Sequence, residues 1–325
     1  MMTADPVRYL RILLGWGALA LVLALAGSAV DGRLSSNFWV FRCSPAGYSG
    51  EFYMGTCADR AFGDYEHAAL WLDKEPAAVA NLKAADAVFL GNSRAVIAFS
   101  AATVRAPFER RGLKTFNAAI NGEWDLFARM VVQKLDLRPR LVVVNADYFF
   151  FNSINLWGRR VVSGHPEVGL EYELKSRVLD LHRRWCRDEP NRFSSLICGR
   201  HMAQYRSRLN GSALTVDFPQ APLPAMKPAT EQPRGLEHII ATGREFKRMV
   251  EKRGGCLILT AVPSIEANPE VVRRMAAAIG SPLVEVPAEG YASFDGNHLT
   301  VSEAERWGEA FARNLPPALA ACGVE

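Results

Sequence analysis

The sequence predicts an α/β fold in which a central parallel sheet is covered by helices on both faces. From residue 62 onward, short apolar runs alternate with segments of helical periodicity, the pattern of repeated strand–helix units. Val142-Val143-Val144 is apolar without interruption, as a strand buried on both faces should be. The chain has 325 residues and is 49% hydrophobic, enough for one large domain with a sizeable core.

The elements follow in chain order. Residues 1–31 read as a cytoplasmic tip and a membrane-spanning helix. Ile12 to Val30 carries no charge, with Arg8 and Arg11 before it and Asp31 after it, and that length crosses a bilayer. Arginines held inside place the remaining chain outside, so the expected location is a bacterial inner membrane, single-pass, with the domain in the periplasm or on the cell surface. A cleaved signal peptide is the competing reading, since Ala24, Ala26, Gly27, Ser28 and Ala29 offer processing sites. Both readings export the same domain.

Residues 32–61, with Gly47, Gly50, Gly55, Cys43 and Cys57, read as a stapled linker, and residues 62–325 as the α/β domain. Its strands are expected at Ala87 to Leu90, Thr115 to Ala118, Leu141 to Val144, Leu257 to Thr260 and Leu283 to Val286. Helices are expected at Ala95 to Arg110, Glu123 to Leu135, Leu236 to Arg253, Pro269 to Ile279 and Ser302 to Arg313. Between about 150 and 235 the alternation stops. Helical stretches at Glu171 to Arg187 and Asn191 to Leu209, followed by the Pro-rich Phe218 to Pro233, read as an insertion forming a helical cap or partner surface.

Six cysteines in an exported domain point to disulfides. Cys43 with Cys57 and Cys186 with Cys198 are local pairs, and a bridge from Cys256 to Cys322 would tie the C-terminus to the sheet. Buried free thiols are the competing reading. No His or carboxylate pair stands beside them at ligand spacing, so neither a metal nor another cofactor is expected. The net charge of +4 is scattered among nearly as many acids as bases, so no nucleic-acid partner is expected.

Two stretches carry chemistry. Gly91-Asn92-Ser93-Arg94 follows the apolar run Ala87 to Leu90, and Asp295-Gly296-Asn297-His298 lies near the C-terminus. A serine at a strand-to-helix turn exposes its hydroxyl, and an Asp three residues before a His can orient the imidazole. Each has a plainer reading: Ser93 as a helix cap, and Asp295-Gly296 as an ordinary turn. Both stretches fall where loops reach the C-terminal edge of a parallel sheet, the usual place for ligands. His67, His165, His182, His201 and His238 have no motif around them.

The order of these stretches resembles the SGNH (GDSL) hydrolase superfamily, over roughly residues 84 to 315. That resemblance implies a flavodoxin-like three-layer α/β/α sandwich, with Ser93 as nucleophile, His298 as base and Asp295 as its orienting carboxylate. Phe116 to Gly122 resembles the block whose glycine amide helps bind the oxyanion, which assigns that role to Gly122 beside the Ser93 amide. The third block, normally Gly-x-Asn-Asp, here reads Asn145-Ala146-Asp147-Tyr148. Asp147 stands where the donor Asn belongs, an ionised carboxylate would repel an oxyanion, and Asn145 is the available substitute. Asn92 likewise replaces the Asp of many members.

Gly-x-Ser-Arg and the aromatic block Asp147 to Phe150 resemble the branch of membrane-anchored SGNH-like proteins of envelope polysaccharide modification, including the alginate acetyltransferase type. This implies acyl transfer through an acyl-serine on an envelope polysaccharide or acylated glycan. Water as acceptor makes an esterase and a sugar hydroxyl an O-acyltransferase. Arg94 and Asp147 are then substrate-binding candidates, with a structural ion pair as the plainer reading of Arg94 and a turn or supporting residue as that of Asp147; the cytoplasmic membrane is a partner through the N-terminal helix, and a membrane acyl-donor protein replaces acyl-CoA, which is out of reach. The competing reading is a catalytically silent relative that binds glycan or scaffolds an envelope assembly.

Overall fold

The computed structural model describes residues 14–20, 22–23, 39–57, 64–190, 194–217, 229 and 235–324. Its centre is a five-stranded parallel sheet formed by β2 (Ala87–Leu90), β3 (Thr115–Asn117), β4 (Leu141–Asn145), β7 (Cys256–Thr260) and β8 (Leu283–Val284), in the spatial order β3-β2-β4-β7-β8. Taken in chain order within the sheet this is second-first-third-fourth-fifth, the flavodoxin-like arrangement, whose switch point lies between β2 and β4. The architecture is compatible with an SGNH-like α/β fold.

Alternation of side chains explains why the strands read as unbroken apolar runs. Val88, Leu90, Val142, Val144, Leu257 and Leu259 enter one core, whereas Phe89, Leu141, Val143 and Ile258 enter the other. On the second face lie α3 (Ser93–Ala98), α4 (Ala102–Glu109) and α11 (Val301–Asn314), where Phe89 packs against Phe99 and Phe108 at 5.1 and 5.3 Å between ring centres. On the first lie α5 (Asp125–Lys134), α9 (Leu236–Lys252) and α10 (Pro269–Ile279). Asn268 starts α10 by accepting from the amides of Glu270 and Val271, with Pro269 at the first helical position.

One helix and the last strand stop short of the sequence expectation. The single helix expected over 95–110 breaks between α3 and α4. The Ser100 hydroxyl donates to the Val96 carbonyl and accepts from the Ala213 amide, both at 2.6 Å, giving the backbone an alternative to continued helix. The last strand stops at Val284, because Pro287 cannot donate to a ladder and constrains Val286 before it.

A second sheet was not legible. β1 (Phe52–Cys57), from the segment expected as linker, pairs antiparallel with β5 (Ala203–Ser207), which pairs with β6 (Ala213–Val216). The expected helix over Asn191 to Leu209 is therefore a short helix, α8 (Ser194–Ile197), followed by this strand. Every residue of β5 is buried, and the Tyr205 hydroxyl donates to the Ser44 carbonyl at 2.5 Å. The insertion does supply helices, α6 (Leu156–Val162) and α7 (Pro166–Arg183), but against the α/β unit it sets a sheet. The segment Phe218 to Pro233 lies, apart from residue 229, outside the described residues.

Cys43–Cys57, Cys186–Cys198 and Cys256–Cys322 are disulfide-bonded, the pattern of a protein from an oxidising compartment. Among the described residues no helix is long and apolar enough to cross a membrane. The expected span from Ile12 to Val30 lies mostly outside them; its described residues 14–20 and 22–23 are helical and exposed.

The short helix α1 (Glu66–Trp71), before α2 (Pro76–Lys83), brings a buried charge cluster to the sheet's edge. His67 Nδ1 lies 2.7 Å from Asp64 Oδ1, and Nε2 donates to Glu123 Oε1 at 2.9 Å, all three groups being buried. Burial opposes the charge on this imidazole, but the two carboxylates outweigh it and raise its pKa to about 10. A folded pKa above the unfolded value of 6.5 contributes stability fully present below 6.5 and lost as pH rises through about 10. Urea unfolding should therefore show His67→Gln less stable than the parent at pH 6.5, with the gap narrowing towards pH 10; a pH-independent gap would contradict the pairing.

Candidate active site

Ser93 sits at the switch point because the chain turns sharply out of β2. Gly91 has φ +152°, and a Cβ there would meet Ala95 Cβ at 2.5 Å and Asn145 Cβ at 3.2 Å, so only glycine fits. Asn92 is the N-cap of α3, its Oδ1 accepting from the Arg94 amide at 3.1 Å. The capping role open to Ser93 thus belongs to its neighbour, and the Ser93 hydroxyl turns elsewhere.

It turns to His298. Ser93 Oγ lies 2.7 Å from His298 Nε2, and His298 Nδ1 lies 2.6 Å from Asp295 Oδ2. The Asp295 Oδ1 atom accepts from the amides of Asn297 and His298, both at 2.8 Å, which folds the loop around the carboxylate. Burial raises the Asp295 pKa, but the hydrogen bond and charge of His298, with those amides, more than reverse this and hold it below the usual value. An ionised Asp295 only accepts, so Nδ1 carries the proton and donates, leaving Nε2 to accept from the Ser93 hydroxyl. Phe294 stacks on the imidazole at 5.4 Å and 10°.

These residues open on a cavity of about 340 Å³ whose lining includes Ser93, Gly122, Asp295 and His298, together with Asn121 and Gln204. That is room for an ester and a short acyl group. Gly122 has φ +66° and sits on the loop between β3 and α5. The loop is fixed on both sides: Glu66 Oε1 accepts from the Asn121 amide at 2.8 Å, and Glu123, held by His67, accepts from the Asn155 amide at 3.3 Å. Thr56 of β1 and Gln204 of β5 also line the cavity, so the second sheet is part of the site.

The remaining expected site residues lie elsewhere. Asn145 is fully enclosed; its Oδ1 accepts from the Val262 amide at 3.0 Å, its Nδ2 has no partner, and it does not line the cavity. Its place at the end of a central strand points the side chain into the neighbouring β7 connection. Arg94 and Asp147, candidates for substrate binding or for a structural pair, are buried and ion-paired with each other. Burial pushes the Asp147 carboxyl up to about 6, with Arg94 pulling against it. Arg94 also pairs with Glu266 and donates to Asn297 Oδ1 at 3.3 Å. This one side chain links the serine turn, the ends of β4 and β7, and the histidine loop.

Sequence reasoning missed Asn121, Gln204, Thr56 and Phe294. Asn121 stood beside Gly122 in the motif, whereas Gln204 and Thr56 were invisible without the second sheet. Among the described residues no cluster of three His, Cys, Asp or Glu could hold a metal ion.

Removing Arg94 leaves Asp147 buried without its cation. Arg94→Ala should lower the unfolding free energy in urea by about 3–5 kcal/mol. Arg94→Lys should restore only part of this, since one ammonium cannot replace a planar fork serving three acceptors. Parent-like stability of Arg94→Ala would show the brace to be dispensable.

No protein-family model matches the chain, and no curated protein matches it. A solved structure described as "Crystal Structure of TesA" is similar to it with a TM-score of 0.33 and 13% identity, covering 72% of this chain and 99% of that one. A likeness of that size carries no weight for the chemistry, which rests on the geometry of Ser93, His298 and Asp295.

Proposed function

We propose that this protein is an exported serine-dependent esterase or O-acyltransferase working through an acyl-serine. The observation that carries the reading is the unbroken hydrogen-bond chain from Ser93 through His298 to Asp295 at the wall of a cavity. In this mechanism His298 Nε2 takes the Ser93 proton as Oγ attacks the acyl carbonyl, and the imidazolium then protonates the departing alkoxide. Asp295 holds the tautomer and stabilises the imidazolium. The amides of Ser93 and Gly122 receive the oxyanion. In the second half, water or a sugar hydroxyl gives its proton to His298 as it attacks the acyl-serine, and the imidazolium returns a proton to Ser93 Oγ as the acyl bond breaks.

The proposed substrate is an acylated envelope polysaccharide, as the resemblance to membrane-anchored SGNH-like proteins of polysaccharide modification implies. Three disulfides support export. In this proposal the apolar stretch from 12 to 30 tethers the domain to a bacterial inner membrane, and a membrane acyl-carrying protein supplies the acyl group. The rival is a silent glycan-binding or envelope-assembly scaffold, suggested by the incomplete oxyanion set, with Asp147 at the donor position, and by the long insertion. Pairing of the Asp147 carboxylate with Arg94, away from the cavity lining, supports the enzyme reading by keeping its charge off the reacting group.

A fluorophosphonate probe tests the proposal. Parent protein should be labelled, Ser93→Ala should not, and His298→Ala should label at least about 10²-fold more slowly. Equal labelling of parent and Ser93→Ala, or none of either, would favour the scaffold.

A further inference from the structure

The oxyanion set carried over from the resemblance lacks its third donor, because Asp147 stands in the usual place and Asn145 is shut inside the sheet. A chain of amides on the opposite wall ends at the cavity instead. Glu66 Oε1 accepts from both the backbone amide and the side-chain Nδ2 of Asn121, at 2.8 and 2.7 Å, and Asn121 Nδ2 also donates to Gln204 Oε1 at 2.7 Å.

The orientation of each amide follows from obligatory donors. A backbone N–H can only donate, and the Arg206 guanidinium beside Glu66 Oε2 at 3.4 Å can only donate, so both oxygens of Glu66 face donors. The Asn121 atom that meets Glu66 Oε1 is therefore its NH2, whose second hydrogen is directed to Gln204. The Gln204 atom it meets is in turn an oxygen. Neither amide can be flipped without setting two acceptors or two donors face to face. Gln204 thus has its NH2 on the other side of its carboxamide. Among the described residues that nitrogen has no hydrogen-bond partner, and it is not a sealed, orphaned atom. Gln204 lines the same cavity as Ser93 and His298.

We propose that the Gln204 side-chain amide donates a hydrogen bond to the reacting acyl carbonyl and to the oxyanion formed from it, in place of the amide missing after β4. Glu66 and Asn121 are positioning residues: they fix which face of Gln204 meets the substrate. The second sheet then supplies a catalytic group, held by a hydrogen bond to the loop that carries Gly122. The inference rests on the acyl-serine reading.

The discriminating variant is Gln204→Glu. It keeps size and the oxygen that accepts from Asn121, but replaces the NH2 by an acceptor. With 4-nitrophenyl acetate, kcat should fall by on the order of 10²-fold or more while KM changes little, and fluorophosphonate labelling should slow in parallel. Gln204→Leu should lose a similar factor, and Glu66→Gln, which leaves Oε1 for Asn121, should retain more activity than Glu66→Ala. Thermal melts separate these losses from unfolding. Folded Gln204→Glu with parent-like kcat and labelling overturns the donor role and leaves the nucleophile standing. Absence of labelling in the parent overturns the nucleophile, and the donor role with it.

Discussion

The buried guanidinium of Arg94 is the constraint on which the geometry of the site depends. It follows Ser93 directly, so whatever holds Arg94 also holds the serine turn. Asp147 and Glu266 pair with it from the connections that follow β4 and β7, and Asn297 accepts from it out of the histidine loop. Two loops about 200 residues apart in sequence are thereby drawn to one point, and the 2.7 Å contact between Ser93 and His298 follows from that closure. A buried ion pair contributes little net stability compared with apolar packing, but it strongly penalises arrangements in which its partners separate. That asymmetry suits a site whose function is positional.

A second set of buried charges performs the same service on the other wall. Glu66 and His67 come from α1, before the first strand of the parallel sheet, and grip the loop around Gly122 from both sides through Asn121 and Glu123. The antiparallel sheet of β1, β5 and β6 closes that wall with Thr56 and Gln204. The segment before the α/β unit and the insertion within it are joined by strand pairing and, through these residues, belong to the site.

The parallel sheet was legible because its strands are buried on both faces. Runs such as Val142-Val143-Val144 have no polar position to confuse, and each is followed by a periodic helix. The serine turn and histidine loop were legible because their contacts are local: Asp295 and His298 are three residues apart, and Gly91 is forced by a close approach. The second sheet was not. In β5, Gln204 and Arg206 are polar yet buried, since their partners Asn121 and Glu66 lie far away in sequence. Alternation of polar and apolar residues therefore marked no exposed face. For the same reason Arg94 and Asp147 left both a substrate-binding and a structural reading open, because a charge satisfied by distant partners looks free in the sequence.

The central claim is that Ser93 becomes acylated. The most direct measurement is peptide mapping by mass spectrometry after brief reaction with 4-nitrophenyl acetate and acid quench. An acetyl group is expected on the peptide containing Ser93, lost with time in the parent protein and absent in Ser93→Ala. Acetylation confined to other residues, or identical in Ser93→Ala, would contradict it.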